Sequence, residues 1–296
     1  MTDQTQTGLI CVDDARAIPW PNVKSHKHSR GRLAVVAGSP LHTGAARLAA
    51  GAGQRIGAGW VNLYGTPDAC EIMAHHETSI LISVRDCRIS LRDQIEDFEA
   101  IVIGPAFGLT PSCCADVLEL AAHFQGGLVL DADALTLIAG SGEKGLKILR
   151  ARPEAAILTP HSGEFARLFG EFDAGCKVAA TQAAARLSGT IIVHKGAITV
   201  LAAPNGDVFL CEHATPFLAS AGSGDVLAGL IGGLLAQGMA AIDACKAAIW
   251  IHGEAGRRVG AGLIAQDLIS ILPNVLNDLA PHALKRTIHQ DLASSR

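Results

Sequence analysis

The most constraining feature of this chain is a repeated alternation. Short apolar runs follow one another, each closed by a turn or a polar residue and separated from the next by a stretch of helical character. Leu33–Ala37 stops at Gly38-Ser39-Pro40, Trp60–Tyr64 at Gly65-Thr66-Pro67, and Ala100–Ile103 at Gly104-Pro105. Leu128–Leu130 stops at Asp131, Ala156–Leu158 at Thr159-Pro160-His161, and Ile191–His194 at Lys195-Gly196. Runs this short, apolar on both faces, read as strands covered on both sides. Ala45–Ala58 and most of Gly224–Gly262 read as helix. The alternation predicts an α/β fold, a mainly parallel sheet between two helix layers. Thr199–Ala202 and Val208–Leu210 flank Asn205-Gly206, which predicts a late antiparallel hairpin at one edge. Residues 1–25 read as a polar arm. Residues 26–296 read as a single domain, because no Pro/Ser-rich linker divides them.

Composition narrows the function. Acidic residues number 28 and basic residues 24, for a net charge of −4, so the chain lacks the cationic footprint of a nucleic-acid or anionic-membrane partner. Hydrophobic residues at 49% and charged residues at 18% exclude disorder. Gly at 32 residues with aromatics at 4% suits tightly packed layers and phosphate loops better than a sandwich or a carbohydrate cleft. The eight cysteines include no Cys-x-x-Cys pair and read as reduced thiols, which points to the cytoplasm. The start of the chain carries Asp3, Asp13 and Asp14 and no apolar signal stretch, and the apolar run Val226–Ala236 is too short for a bilayer span of about 20 residues.

In a parallel sheet, ligands bind beyond the carboxyl ends of the strands. Ala221-Gly222-Ser223-Gly224-Asp225 opens a late helix there. Its glycines let backbone approach a ligand, and the N–H groups of a helix start attract a phosphate. Asp225 beside that phosphate is either a helix cap or a base that takes the proton of an attacking hydroxyl. Thr159-Pro160-His161-Ser162-Gly163-Glu164 places His161 where it meets a substrate phosphate or amide and Glu164 where it meets Mg²⁺ near phosphates; an ordinary helix start reads equally well. In His194-Lys195-Gly196-Ala197-Ile198-Thr199, Lys195 either meets a nucleotide or is a solvated hairpin lysine. Asp131-Ala132-Asp133 approaches a metal or ribose, or caps a helix. Gly38–Ala46 and Gly104–Gly108 suit the walls of a substrate pocket. Gly51-Ala52-Gly53-Gln54-Arg55-Ile56-Gly57 has the wrong spacing and place for a dinucleotide loop and reads as close helix packing. His26 with His28, and His75 with His76, have no spaced third ligand, so a metal site there is not expected.

Together these motifs resemble the ribokinase-like superfamily and, within it, the ADP-dependent NAD(P)H-hydrate dehydratases, from about His26 to Pro273. Gly-x-Gly-Asp alone marks the superfamily; Thr-Pro-His-x-Gly-Glu with Asp-Ala-Asp-Ala-Leu is more specific, and His252-Gly253-x-Ala255-Gly256 supports both. Ser162 stands where the family usually has Pro, and His194 where Leu is common. Ser223 stands for Thr, and Ala106-Phe107 for Gly-Leu. These substitutions keep the charged groups.

The resemblance implies a three-layer ribokinase-like fold. It implies a carbon–oxygen lyase that returns the S epimer of hydrated NAD(P)H to NAD(P)H while ADP, or ATP, supplies a phosphoryl group with Mg²⁺. Asp225 is then the base and also touches substrate; Gly44, Ala45, Gly108 and His161 line the coenzyme side. Lys195, Gly196, Ala197, Ile198, Thr199, Gly222, Ser223 and Gly224 hold the nucleotide, and Glu164 assists the metal indirectly. Many relatives carry an epimerase domain for the same metabolite; the segment before His26 is too short for one, so a separate epimerase is the expected partner. Small-residue helices would permit subunit packing, and a homo-oligomer is expected. The alternative is a ribokinase-like kinase of a thiazole, pyrimidine or sugar alcohol.

Overall fold

The computed structural model describes residues 6–171, 173–281 and 284. The chain runs β1 (Thr7–Leu9), α1 (Val12–Arg16), β2 (Arg32–Val36), α2 (Thr43–Ile56), β3 (Trp60–Gly65), α3 (Pro67–Ala74), β4 (Leu81–Val84), α4 (Leu91–Ile95), β5 (Ala100–Ile103), α5 (Pro111–His123) and β6 (Gly127–Leu130). It continues through α6 (Asp133–Gly140), α7 (Gly142–Arg150), β7 (Ile157–Leu158), α8 (Ser162–Phe169), α9 (Lys177–Ser188), β8 (Ile191–His194), β9 (Thr199–Ala202) and β10 (Val208–Cys211). It closes with α10 (Ser223–Ala236), α11 (Ala241–Val259) and α12 (Ala265–Leu279).

One ten-stranded sheet has the order β1-β10-β9-β8-β7-β6-β5-β2-β3-β4. From β8 to β4 all pairs are parallel, and β9 is antiparallel to both its neighbours. The central strands β2, β5, β6, β7 and β8 are mostly apolar and buried because both faces are covered. In β2, Leu33 and Val35 face a core shared with α2, α10, α11 and α12, while Ala34 and Val36 face the other core, toward α5 and α6. A smaller core lies under α8 and α9 around Phe165, Ile192 and Val200. Each fully buried Leu or Ile contributes roughly 1.5–3 kcal/mol, which is why these runs outrank local propensity.

Two expectations need correction. The β9–β10 hairpin forms as predicted, but it is not the edge: Thr7–Leu9 of the supposed arm pairs in parallel with Val208–Leu210, and α1 packs on α11. A three-residue segment carries no periodicity, so its strand is decided by its partner. Strand β4 was also not foreseen; its residues are half exposed at the opposite edge and lack a continuous apolar run. The Gly51–Gly57 segment lies inside α2 against α10. There Gly229 lets the helices touch, since a Cβ on it would lie 2.0 Å from the Ala49 carbonyl oxygen.

Chain order reverses beside β2: β3 and β4 are laid on one side, and β5 returns on the other. A crevice opens at such a switch point beyond the strand ends.

Candidate active site

The strand ends are joined by backbone contacts too close for side chains. A Cβ on Gly38, after β2, would lie 2.1 Å from the Ala106 carbonyl oxygen, and one on Gly104, after β5, 1.7 Å from that of Asp131. The connections after β5 and β6 are strained: Ala106 has φ 49° and Ala132 φ 46°. Such values cost an alanine roughly 1–3 kcal/mol and persist where surroundings over-determine them. Here the strain divides two carboxylates. Asp131, 2% exposed, places Oδ1 3.0 Å from Lys195 Nζ. Asp133 turns the other way, and its Oδ2 accepts from Gly108 N at 2.8 Å. Thus Asp133 orders the loop that carries Gly108, and Asp131 belongs with Lys195.

Lys195 follows β8, and its backbone N–H donates to Pro160 O at 2.8 Å. Its ammonium lies 4.0 Å from Glu164 Oε2 and close over Gly224, where an added Cβ would sit 3.2 Å from Nζ. Burial disfavours its charge, but Asp131, Glu164 and Asp225 outweigh that and raise its pKa.

Gly222 sits before α10 in the left-handed region, φ 89°, which L side chains rarely adopt. That turn starts the helix beside Lys195. Ser223 N donates to Ser220 O, so the N–H groups of Gly224 and Asp225 are the ones that find no acceptor among the described residues. The Ser223 hydroxyl donates to Leu218 O at 2.7 Å, leaving it only as an acceptor for a ligand. Asp225 makes no hydrogen bond or ion pair among the described residues. Its pKa is pushed up to about 7, first by burial and then by Asp131, with Lys195 opposing and Glu164 adding. A carboxyl poised near neutrality at a helix N-terminus has the property of a general base.

His161 caps α8: Nδ1 accepts from Gly163 N at 3.0 Å and Glu164 N at 3.2 Å, and Glu164 Oε2 accepts from His161 N at 2.8 Å. The capping reading of this motif is therefore realised. The His161 side chain is 60% exposed, whereas that of Glu164 is 10% exposed and faces Lys195.

Beside α10 lies a cavity of about 460 Å³. Lys195, Gly196, Ala197 and Thr199 form one wall, Ala214, Thr215, Pro216, Leu218 and Ala219 another, and Ser223, Gly224, Ile249 and His252 the floor. Ile198 is not among these residues; its side chain is 44% exposed and its carbonyl accepts from Lys177. His252 Nε2 donates to Ser223 O at 2.9 Å, and burial lowers its pKa to about 4, so it is a neutral prop beneath the helix start. Gly44 and Ala45 lie in the first turn of α2; Leu48 of the same helix comes against Gly222, and nothing lies within 4 Å of a Cβ on Gly44. The structure thus groups Lys195, Glu164, Asp131 and Asp225, with Gly196, Ala197 and Thr199 on the cavity wall beside Lys195.

Sequence reasoning did not select Asp131 over Asp133, nor find Lys177 or the wall of Thr215, Pro216, Leu218 and Ala219. The first needed the ion pair; the others carry no motif.

The NAD(P)H-hydrate dehydratase family model matches residues 33–274. The "Bifunctional NAD(P)H-hydrate repair enzyme Nnr" of Gloeobacter violaceus is 38% identical over 291 residues, covering 93% of this chain and 56% of that protein. The chain thus spans about half the length of the curated relatives it matches. An Enterococcus faecalis ribokinase-like superfamily protein superposes with a TM-score of 0.82 at 22% identity, covering 95% of this chain and 98% of that one, a likeness of fold. The Bacillus subtilis ADP/ATP-dependent NAD(P)H-hydrate dehydratase, co-crystallised with ATP and Mg²⁺, gives a TM-score of 0.78 at 27% identity, covering 92% and 98% of the two chains. Fold, site and likeness agree: this chain belongs to the NAD(P)H-hydrate dehydratase family.

Proposed function

We propose that this chain dehydrates the S epimer of hydrated NADH or NADPH, using the terminal phosphoryl group of ADP to make a leaving group of the ring hydroxyl. The observation that carries this is Asp225. It is a carboxyl with a pKa of about 7 at a helix N-terminus, directly after Ser223 and Gly224, which line a cavity of about 460 Å³.

Hydroxide is a poor leaving group. Asp225 takes the proton of the C6 hydroxyl as its oxygen attacks the β-phosphorus of ADP, and the bond to the bridging oxygen breaks to release AMP. Charge on the moving phosphoryl group meets the N–H groups of Gly224 and Asp225 and the Lys195 ammonium. The ring-nitrogen lone pair then expels phosphate from C6. Loss of a C5 proton restores the dihydropyridine, so ADP and hydrated coenzyme give AMP, phosphate and NAD(P)H. Gly196, Ala197 and Thr199 hold the nucleoside; Gly44, Ala45, Gly108 and His161 face the coenzyme.

Among the described residues, no group of three or more His, Cys, Asp or Glu is arranged to hold a metal ion. The donor set fits Mg²⁺ carried by phosphates and water, with Glu164 reaching it through water. When bound, the ion neutralises nucleotide charge. No helix of the described residues is long and apolar enough to cross a membrane. An epimerase for the same metabolite is the partner this reading requires, wherever it is encoded.

The test follows the reduced-nicotinamide absorbance of hydrated NADH and NADPH with Mg²⁺ and ADP or ATP. A rise matched one-to-one by phosphate release is expected. A stable phosphorylated product would make the protein a kinase, and no change with folded protein would remove both readings.

A further inference from the structure

His194 ends β8 directly before Lys195 and is wholly buried. Both ring nitrogens are engaged: Nε2 with Ser162 Oγ at 3.2 Å and Nδ1 with Thr181 Oγ1 at 2.9 Å. The protons follow from the partners. The Thr181 hydroxyl donates to Lys177 O at 2.7 Å, and a hydroxyl has one proton, so Oγ1 accepts from Nδ1–H. Burial, with Lys177 and His161 adding, lowers the imidazole pKa to about 3. A neutral ring protonated at Nδ1 accepts at Nε2, and therefore Ser162 donates. One directed chain results, from Ser162 through His194 and Thr181 to the Lys177 carbonyl. Phe165 stacks on the imidazole at 4.3 Å and 9° and fixes its plane.

The two ends of this chain lie at the two ligand-side loops. Ser162 opens α8 between His161 and Glu164. Lys177 opens α9, and its ammonium donates to the carbonyls of Lys195 at 3.2 Å and Ile198 at 2.7 Å, beneath the loop that walls the cavity.

We propose that His194 is a positioning residue. It locks the turn bearing His161 and Glu164 to the Lys195–Thr199 loop, and so sets where Lys195 stands between Asp131 and Glu164. The assignment of that loop to nucleotide rests on the function proposed above. Ser162 and His194 thus join the two loops through this one hydrogen bond. Losing Ser162 alone leaves the buried His194 Nε2 without this partner, whereas losing His194 leaves only the exposed Ser162 hydroxyl, which turns to water. Proline fits the backbone at 162: it is the first helical position, and His161 is extended at φ −79°, ψ 171°, as a residue before proline must be.

The experiment titrates ADP with Mg²⁺ into full-length His194→Leu, Ser162→Pro and the double variant by calorimetry. It needs no turnover, so its outcome is separate from that of the dehydratase assay. His194→Leu is expected to raise the ADP Kd about tenfold or more, and Ser162→Pro to add little to that loss, because the bond the two residues share is already gone. His194→Gln, which keeps an acceptor toward Ser162, should lose less. If His194→Leu does not fold, the cycle of His194→Gln with Ser162→Ala replaces it. Non-additive Kd changes support the proposal. Wild-type Kd in the folded single variants, even with a lowered Tm, or strictly additive losses, would overturn it.

Discussion

Lys195 Nζ lies 3.0 Å from Asp131 Oδ1, an ion pair that joins the end of β8 to the end of β6 across β7. Asp131 is 2% exposed, and Lys195 is the cation it meets in the interior. Lys195→Met leaves the carboxylate unpaired in the interior, and a loss of roughly 3–5 kcal/mol is expected, read as a fall in denaturation midpoint. ADP binding should weaken in the same variant; an effect confined to the coenzyme KM would reverse the placement of the two ligands.

Asp131→Asn acts on Asp225 from a distance. Asp131 raises the Asp225 pKa and Lys195 lowers it. Removing the Asp131 charge, which also frees Lys195, moves the acid limb of the rate–pH profile to lower pH. A limb that stays near pH 7 would show that Asp131 does not set the Asp225 pKa.

Asp225→Asn should keep fold and ADP binding and lose turnover by roughly two to four decades. In the wild type, kcat/KM should rise with pH and level off above about 7, because the base works ionised. Stability runs the other way. The folded pKa lies above the ordinary 3.8, so the folded state holds this proton more tightly than the unfolded chain. The stabilisation is complete below about pH 4 and is lost as pH rises through 7. Thermal melts should therefore show Asp225→Asn gaining on wild type between pH 5 and pH 8.

Two glycine-to-alanine changes should separate packing from binding. In an open helix interior such a change gains about 1 kcal/mol. At Gly229 the new Cβ would lie 2.0 Å from the Ala49 carbonyl, and α2 and α10 must part; a large Tm loss is expected. At Gly44 nothing lies within 4 Å. Gly44→Ala should keep its Tm and raise the coenzyme KM, a combination that kinetics and melts read together.

Chelation should distinguish a phosphate-borne ion from a protein-caged one. No described cluster cages a metal, so EDTA should leave the Tm of the nucleotide-free protein unchanged. It should abolish both turnover and the stabilisation given by ADP. A lowered Tm without nucleotide would place a structural metal in the protein.

The sequence by itself determined the layers and the address of the site. Six apolar runs, each too short for a helix and stopped by Gly, Pro or a charged residue, require a covered parallel sheet. Gly222-Ser223-Gly224-Asp225, Lys195 and Glu164 were legible because helix starts and strand ends have local signatures. Tertiary structure alone decided which polar groups meet. Asp131 and Asp133 look alike in sequence; a positive-φ turn at Ala132 sends one to Lys195 and the other to Gly108. The edge strand Thr7–Leu9 exists because β10 offers hydrogen bonds distant in sequence. The raised pKa of Asp225 and the paired roles of Ser162 and His194 have the same origin. Burial and Coulomb fields depend on distances in space, and no local pattern encodes those distances.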